Sequence, residues 1–202
     1  MNTAEKLITI AENEQKIFDK GKKAEYDAFW DTFQQNGTRI NYYMAFPYWE
    51  DGCYNPKYPI VTGQGGSVAN MMFDSAKITD TKVDIIVNAT SVNSMFRVCR
   101  NLKTVKRLVL PEVTANYNNF ATNCTALENL NIEGVINGTI DLHWSPLSKE
   151  SVEKIVAALS PTATGLTVTF NKTQIDSING DSTWFEDLQA TKSDWNFAVS
   201  DV

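Results

Sequence analysis

The 202-residue chain has a single histidine, His143, and three cysteines, Cys53, Cys99 and Cys124, none of them in a CxxC spacing. One histidine excludes any site that needs two, and scattered cysteines argue against a zinc site or a disulfide scaffold. No apolar run approaches the roughly 18 to 20 residues of a membrane span, so membrane insertion is not expected. A basic run is also missing. The net charge is −6 and the pI about 4.8, which argues against nucleic acid or an anionic membrane as partner. The cluster Gly63, Gly65 and Gly66 has neither the Lys-Ser/Thr pair of a phosphate loop nor the spacing of a dinucleotide fingerprint. It reads as a turn, and no cofactor or metal is expected. What remains is a chain that is 43% hydrophobic and 11% aromatic, enough for a core. It also carries 19 Asn and 20 Thr, an excess that needs a physical account.

Residues 1–37 form the first of three regions. Residues 3–36 contain no proline and are rich in Ala, Glu, Lys and Gln, which predicts a helix broken near Gly21. Leu7, Ile10 and Ile17 lie on a three-four spacing, a short heptad stripe. Tyr26, Phe29, Trp30 and Phe33 form a wider aromatic face, and Asn36-Gly37 is a helix stop. The segment either packs on its own domain or serves as an assembly handle through Leu7, Ile10 and Ile17. Residues 38–70 are a turn-rich joint holding Tyr42, Tyr43, Phe46, Tyr48, Trp49, Tyr54 and Tyr58. Such a cluster caps the end of a core or offers faces on which sugar rings stack.

Residues 71–202 hold an internal repeat. Met95-Phe96 precedes Cys99, Leu102 and Val105; Asn119-Phe120 precedes Cys124, Leu127 and Leu130. Each is followed by a strand-like run, Val105 to Leu110 and Leu130 to Glu133. A looser copy starts at Met72-Phe73, with Ala76 in the cysteine place and Ile85-Ile86-Val87 as its strand. The phenylalanines at 73, 96 and 120 are 23 and 24 residues apart. A period of about 20 to 29 residues with one strand per unit is the pattern of a leucine-rich solenoid. Such units must stack, because none buries its own apolar edge.

Three further strands are predicted, at Thr139 to Leu142, Leu166 to Phe170 and Trp195 to Val199. Between them Ser148 caps a helix whose Val152, Ile155, Val156 and Leu159 share a face. Thr183 and Glu186 read as a capping box opening another helix. The expected fold is therefore α/β: a short leucine-rich-repeat solenoid, one strand per unit, preceded by an N-terminal helix and closed by a helical C-terminal cap. In that setting the asparagines fit tight left-handed turns and the threonines exposed strand positions. The Asn-x-Thr triplets at Asn36, Asn88, Asn123, Asn137 and Asn171 follow from this composition rather than from glycosylation.

Candidate chemistry is sparse. Cys99 and Cys124 hold equivalent repeat positions and should lie inside neighbouring units as small apolar groups. A disulfide between them is geometrically open, with strands about 4.8 Å apart, but not expected in a reducing compartment. Asp141 and His143 alternate on one strand face, with Ser145 and Ser148 close in sequence. The pair either orients a catalytic imidazole or is a surface His beside an Asp. No nucleophile elbow surrounds either serine, so no catalytic residue is assigned.

The motif Phe-x(2,3)-Cys-x-x-Leu-x-x-Val/Leu resembles leucine-rich repeats of the bacterial surface-antigen (BspA-like) type. The stretches from Lys6 to Asn13, from Gly21 to Asp31 and at Asn36-Gly37 resemble the opening of tail-associated proteins of phages and prophages of gut Firmicutes. Ile132-Glu133-Gly134-Val135, Trp144-Ser145-Pro146-Leu147-Ser148 and the run from Leu159 to Val168 resemble their C-terminal cap. The resemblance implies a non-enzymatic virion tail or baseplate protein, assembled in the host cytoplasm. Its partners would be other tail or baseplate proteins and a host-surface glycan or protein, and its state a homo-oligomer, guessed to be a trimer. The resemblance supplies no catalytic residues. The alternatives are a bacterial cell-surface adhesin of the same repeat type and an envelope glycan hydrolase. If consecutive strands present a ligand face, Lys106, Asn131, Glu133, Asp141, His143, Thr167, Thr169 and Asn171 are the candidates, with Tyr48 and Trp49 of the aromatic segment second.

Overall fold

A computed structural model describes residues 41–52, 54 and 56–202. The predicted N-terminal helix, with Leu7, Ile10 and Ile17, lies outside the described residues. The described chain is a mixed α/β structure with two parallel sheets and three helices. The first sheet runs in the order β1 (Ile60–Val61), β2 (Asp84–Ile86), β3 (Thr104–Leu110) and β4 (Asn129–Gly134). The second contains β5 (Ile140–Asp141), β6 (Thr167–Asn171) and β7 (Asn196–Ser200). Helices α1 (Lys149–Ala158), α2 (Lys172–Asn179) and α3 (Trp184–Ala190) occupy the C-terminal third.

The strands of the first sheet are parallel neighbours, including β1, which lies in the segment expected to be a turn-rich joint: Ile60 pairs with Ile85, Ile85 with Leu108, and Leu108 with Ile132. These side chains are all buried, so one face of the first sheet forms the core. Between Val105 and Leu108 the register shifts by a bulge. The sequence carries its trace, because Lys106-Arg107 puts two polar residues where strict alternation allows one.

Behind the strands the rings of Phe46, Phe73, Phe96 and Phe120 form a column, with successive centroids 5.1, 5.4 and 5.4 Å apart. All four are fully buried, and each contact adds about 0.5–1.5 kcal/mol beyond the area removed from water. The aromatic segment takes part in this column. Phe46 supplies its first ring, and the N–H groups of Tyr42, Met44 and Phe46 donate to Val68, Asn70 and Met72. The last ring enters differently. Phe73 N–H donates to Met95, the residue before Phe96, whereas Phe96 N–H donates to Phe120, the residue before Ala121. Ala121 therefore holds the register place of Phe96, and Phe120 reaches the column from one position earlier. The ring geometry changes with it, from 13° between Phe73 and Phe96 to 85° between Phe96 and Phe120.

Cys99 and Cys124 are buried free thiols in matching places. Cys99 Sγ donates to the carbonyl of Phe73 at 2.9 Å, and Cys124 Sγ to that of Phe96 at 2.8 Å. Burial, together with Cys124 alongside, pushes the Cys99 thiol well above its ordinary range. Ala76 holds the same place one layer earlier: its N–H bonds Phe73 O as Cys99 N–H bonds Phe96 O.

The arc of each layer turns through a pair of left-handed residues four apart: Met44 and Tyr48, Met71 and Ser75, Ser94 and Val98, Asn119 and Asn123. Only the last pair is asparagine, so left-handed turns explain few of the asparagines. Four others tie neighbouring layers through their amides. Asn88 Nδ2 donates to Thr62 O at 2.7 Å, Asn131 Nδ2 to Lys106 O at 3.1 Å, Asn137 Nδ2 to Glu112 O at 3.2 Å and Asn171 Nδ2 to His143 O at 2.7 Å. Backbone carbonyls between layers take such donors, and a short amide reaches one layer without extra bulk. Layers also approach closely at Gly138, where an added Cβ would lie 2.1 Å from Ala115 O.

At the C-terminal end Ser148 caps α1 by accepting from Ser151 N–H at 3.3 Å, and Val152, Ile155 and Val156 face inward. The helix covers the edge of β4. Ser151 Oγ accepts from Leu130 N–H at 3.0 Å and donates to Glu128 O at 3.1 Å. The expected capping box at Thr183 does not form. Thr183 Oγ1 turns to Asp187 Oδ2, and the start of α3 is capped instead by Asn179 Oδ1, which accepts from Phe185 N–H at 3.1 Å. Helix α2, capped by Asn171, was not foreseen. Asn171 ends β6, and the chain passes into the helix with no turn residues between them to signal it.

Candidate functional site

Stacking the first sheet in parallel puts one row of side chains per strand on its outer face. Val61, Ile86, Val109 and Glu133 occupy one row. Asp84 and Arg107 lie across from each other in the next. The Arg107 guanidinium donates to Asp84 Oδ2 at 3.2 Å and to Glu133 Oε2 at 2.7 Å, so one arginine bridges three strands. Arg107 holds the Glu133 carboxyl below the usual carboxylate range, chiefly through that hydrogen bond. The two acids raise the arginine in return. The bulge puts Arg107 in this position, and the sequence reading singled out its neighbour Lys106. Two polar residues in succession inside an apolar strand were the available signal.

Lys106 is exposed beside the bulge, and its carbonyl is held by Asn131. Asn131 Oδ1 in turn accepts from Lys154 of α1 at 2.7 Å. Lys106, Asn131 and Glu133 therefore share one face of the first sheet, with Arg107 between them. Their arrangement is a fixed pattern of charge over a partly exposed aliphatic row, a surface suited to contact.

Asp141, His143, Thr167, Thr169 and Asn171 belong to the second sheet and its margin. Asp141 pairs with Thr169, and Thr169 with Ala198. Thr167 N–H donates to Thr139 Oγ1 at 3.2 Å. His143 lies just past β5. Its Nδ1 is 2.6 Å from Asp141 Oδ1, and its ring rests on Trp144 with centroids 4.9 Å apart. The carboxylate at Nδ1 orients the ring. The Oγ of Ser145 is buried with no hydrogen-bond partner, so it does not engage the imidazole. Ser148 Oγ is committed to α1 and to Asn129. The Asp–His pair thus has no serine hydroxyl bonded to its ring among the described residues.

Tyr48 and Trp49 stand apart from both sheets. Tyr48 is 70% exposed in a left-handed turn. Trp49 is half-buried, edge-on to Phe46 at 5.8 Å, and its carbonyl accepts from Lys77 N–H. Near Tyr48, Arg97 makes a two-pronged ion pair with the buried Asp74, at 3.0 and 2.6 Å. The candidates therefore fall into three groups rather than one face. Among the described residues no three or more His, Cys, Asp or Glu side chains are placed to hold a metal ion. Among those residues, no helix is long and apolar enough to cross a membrane.

No protein-family model, no curated protein and no solved structure matches this chain.

Proposed function

We propose that this chain is a short leucine-rich-repeat-type solenoid that recognises a host surface as a tail or baseplate component of a phage. The outer face of the first sheet is the recognition surface in this reading. Its main support is the three-strand ladder of Asp84, Arg107 and Glu133, held by parallel register over the row of Val61, Ile86 and Val109. A repeated layer with constant spacing turns single side chains into rows, and rows are what an extended surface ligand can read. The resemblance of both chain ends to phage tail-associated proteins carries the virion part of the proposal. The N-terminal segment, with Leu7, Ile10 and Ile17, would attach or trimerise the protein, so that several weak sites act together.

The test is adhesion of the labelled full chain to envelopes from a panel of gut Firmicutes. Arg107→Glu is the control, because it places like charges on three adjacent strands. The expected result is binding to at least one envelope, reduced at least tenfold by that change, with light scattering of the full chain giving a trimer mass. Binding to none, or equal binding by the variant, removes the recognition surface. Soluble fragments released from an envelope would favour the glycan hydrolase instead.

A further inference from the structure

β7 is the last strand of its sheet, and it contains neither proline nor charge in Asn196–Ser200. Open edges in proteins are usually blunted by such residues or covered. Here parallel pairing uses alternate residues. Asn196 N–H reaches Leu166 O at 2.8 Å, and the register continues through Ala198 and Ser200. The N–H and C=O groups of Phe197 and Val199 therefore point to the open side, where no described residue pairs with them.

Two apolar rows also end at this strand. Ile140 and Val168 are buried, but Phe197, next in their row, is only half-buried. Phe170 is buried, yet its neighbour Val199 is 40% exposed. A cleft of about 440 Å³ lies beside the start of the strand, lined by Glu186, Gln189, Ser193, Trp195 and Phe197 among others. The surroundings are acidic: Glu186 in the cleft, Asp194 before the strand and Asp201 after it. Of the nearby lysines, Lys192 is turned to the carbonyls of Ala157 and Leu159, and Lys172 is engaged by Asp176 while also facing Asp201.

We infer that the open edge of β7 docks an extended segment of a partner protein, with alternating apolar residues that cover Phe197 and Val199 and a Lys or Arg that meets the acidic margin. Backbone pairing supplies affinity in such strand addition, and the cleft selects a side chain. A second copy of the chain is disfavoured, because two β7 edges would bring Glu186, Asp194 and Asp201 of both copies together. The inference is independent of the host-recognition reading.

The test is selection of a displayed random nonapeptide library on the full chain and on Val199→Pro. Proline at 199 removes an outward N–H and leaves the bonds to β6 in place. The expected winners alternate apolar residues and carry Lys or Arg, and they bind the natural chain at least tenfold tighter than the variant. If Val199→Pro loses its circular dichroism spectrum, Val199→Lys replaces it, with the same tenfold loss expected from its positive charge. The proposal is overturned if no sequence is enriched, or if enriched peptides bind the folded variant equally. It is also overturned if the natural chain is a dimer that either substitution converts to monomers.

Discussion

β4 and β7 both end a parallel sheet, but they meet their surroundings differently. β4 lies under α1, where Ser151 accepts from Leu130 N–H, donates to Glu128 O, and Ser148 N–H donates to Glu128 O as well. β7 has helices on its inner side, with Phe185 against Phe197 at 6.1 Å, and nothing described along its edge. The first sheet is backed by a continuous column of buried phenylalanines; the second ends with its last two apolar residues half uncovered. Every open sheet has two edge strands, and the physical question is which edges the chain itself covers. Here the β4 edge is sealed by a helix, one hydroxyl and one backbone N–H, and no described residue pairs along the β7 edge.

The largest expected effect tests the column. Phe96→Ala should destabilise the fold by about 3–5 kcal/mol in urea titrations, because it opens a cavity between two rings. Phe197→Ala should lose well under half of that. Equal losses would mean that the second sheet is as tightly packed as the first, and the comparison would break. Ser151→Ala should follow, at about 1–3 kcal/mol, because Leu130 N–H is left buried without a partner. A loss near zero would show that α1 seals β4 by packing alone.

A gain is expected from Val98→Asn. Val98 has φ of 61°, a conformation that strains a β-branched residue, and Asn relieves about 1 kcal/mol of it. The melting temperature should rise, and a fall would mean that the valine methyls matter more than the backbone. The smallest effect is on the outer face. Arg107 lowers the Glu133 carboxyl, so its contribution is complete above the unfolded value of roughly pH 4 and fades as pH falls through the lowered folded value. In Glu133→Gln the stability curve below that pH should be slightly flatter than in the natural chain. Superimposable curves would show that the ladder is decorative.

Much of this architecture is legible in the amino-acid sequence. The spacing of Phe73, Phe96 and Phe120 marked the repeat, and the cysteines fell in matching buried places. Alternation located β3, β4, β6 and β7 to within about one residue, and Ser148 marked α1. Several features were hidden because they depend on register between segments distant in sequence. Phe120 is offset by one from the place its spacing suggests, and Phe46 joins the column from a segment read as a joint. The outer-face ladder runs through Arg107, since only the bulge decides which of two adjacent cations faces the acids. The capping box failed because Asn179, six residues before Phe185, reached the helix start first.

What the amino-acid sequence determined by itself is the repeat: its period, its strands and the residues that must be inside. Local spacing is enough for that, since a buried face and a turn leave their mark within one unit. What only the tertiary structure decided is how units meet. It assigned four asparagines to bonds between layers and only two to left-handed turns, and gave most of the turns to residues such as Met71 and Val98. It also covered the β4 edge, while no described residue pairs along the β7 edge. Those choices depend on side-chain amides and backbone carbonyls about 25 residues apart coming within hydrogen-bond reach, which no single stretch of sequence records.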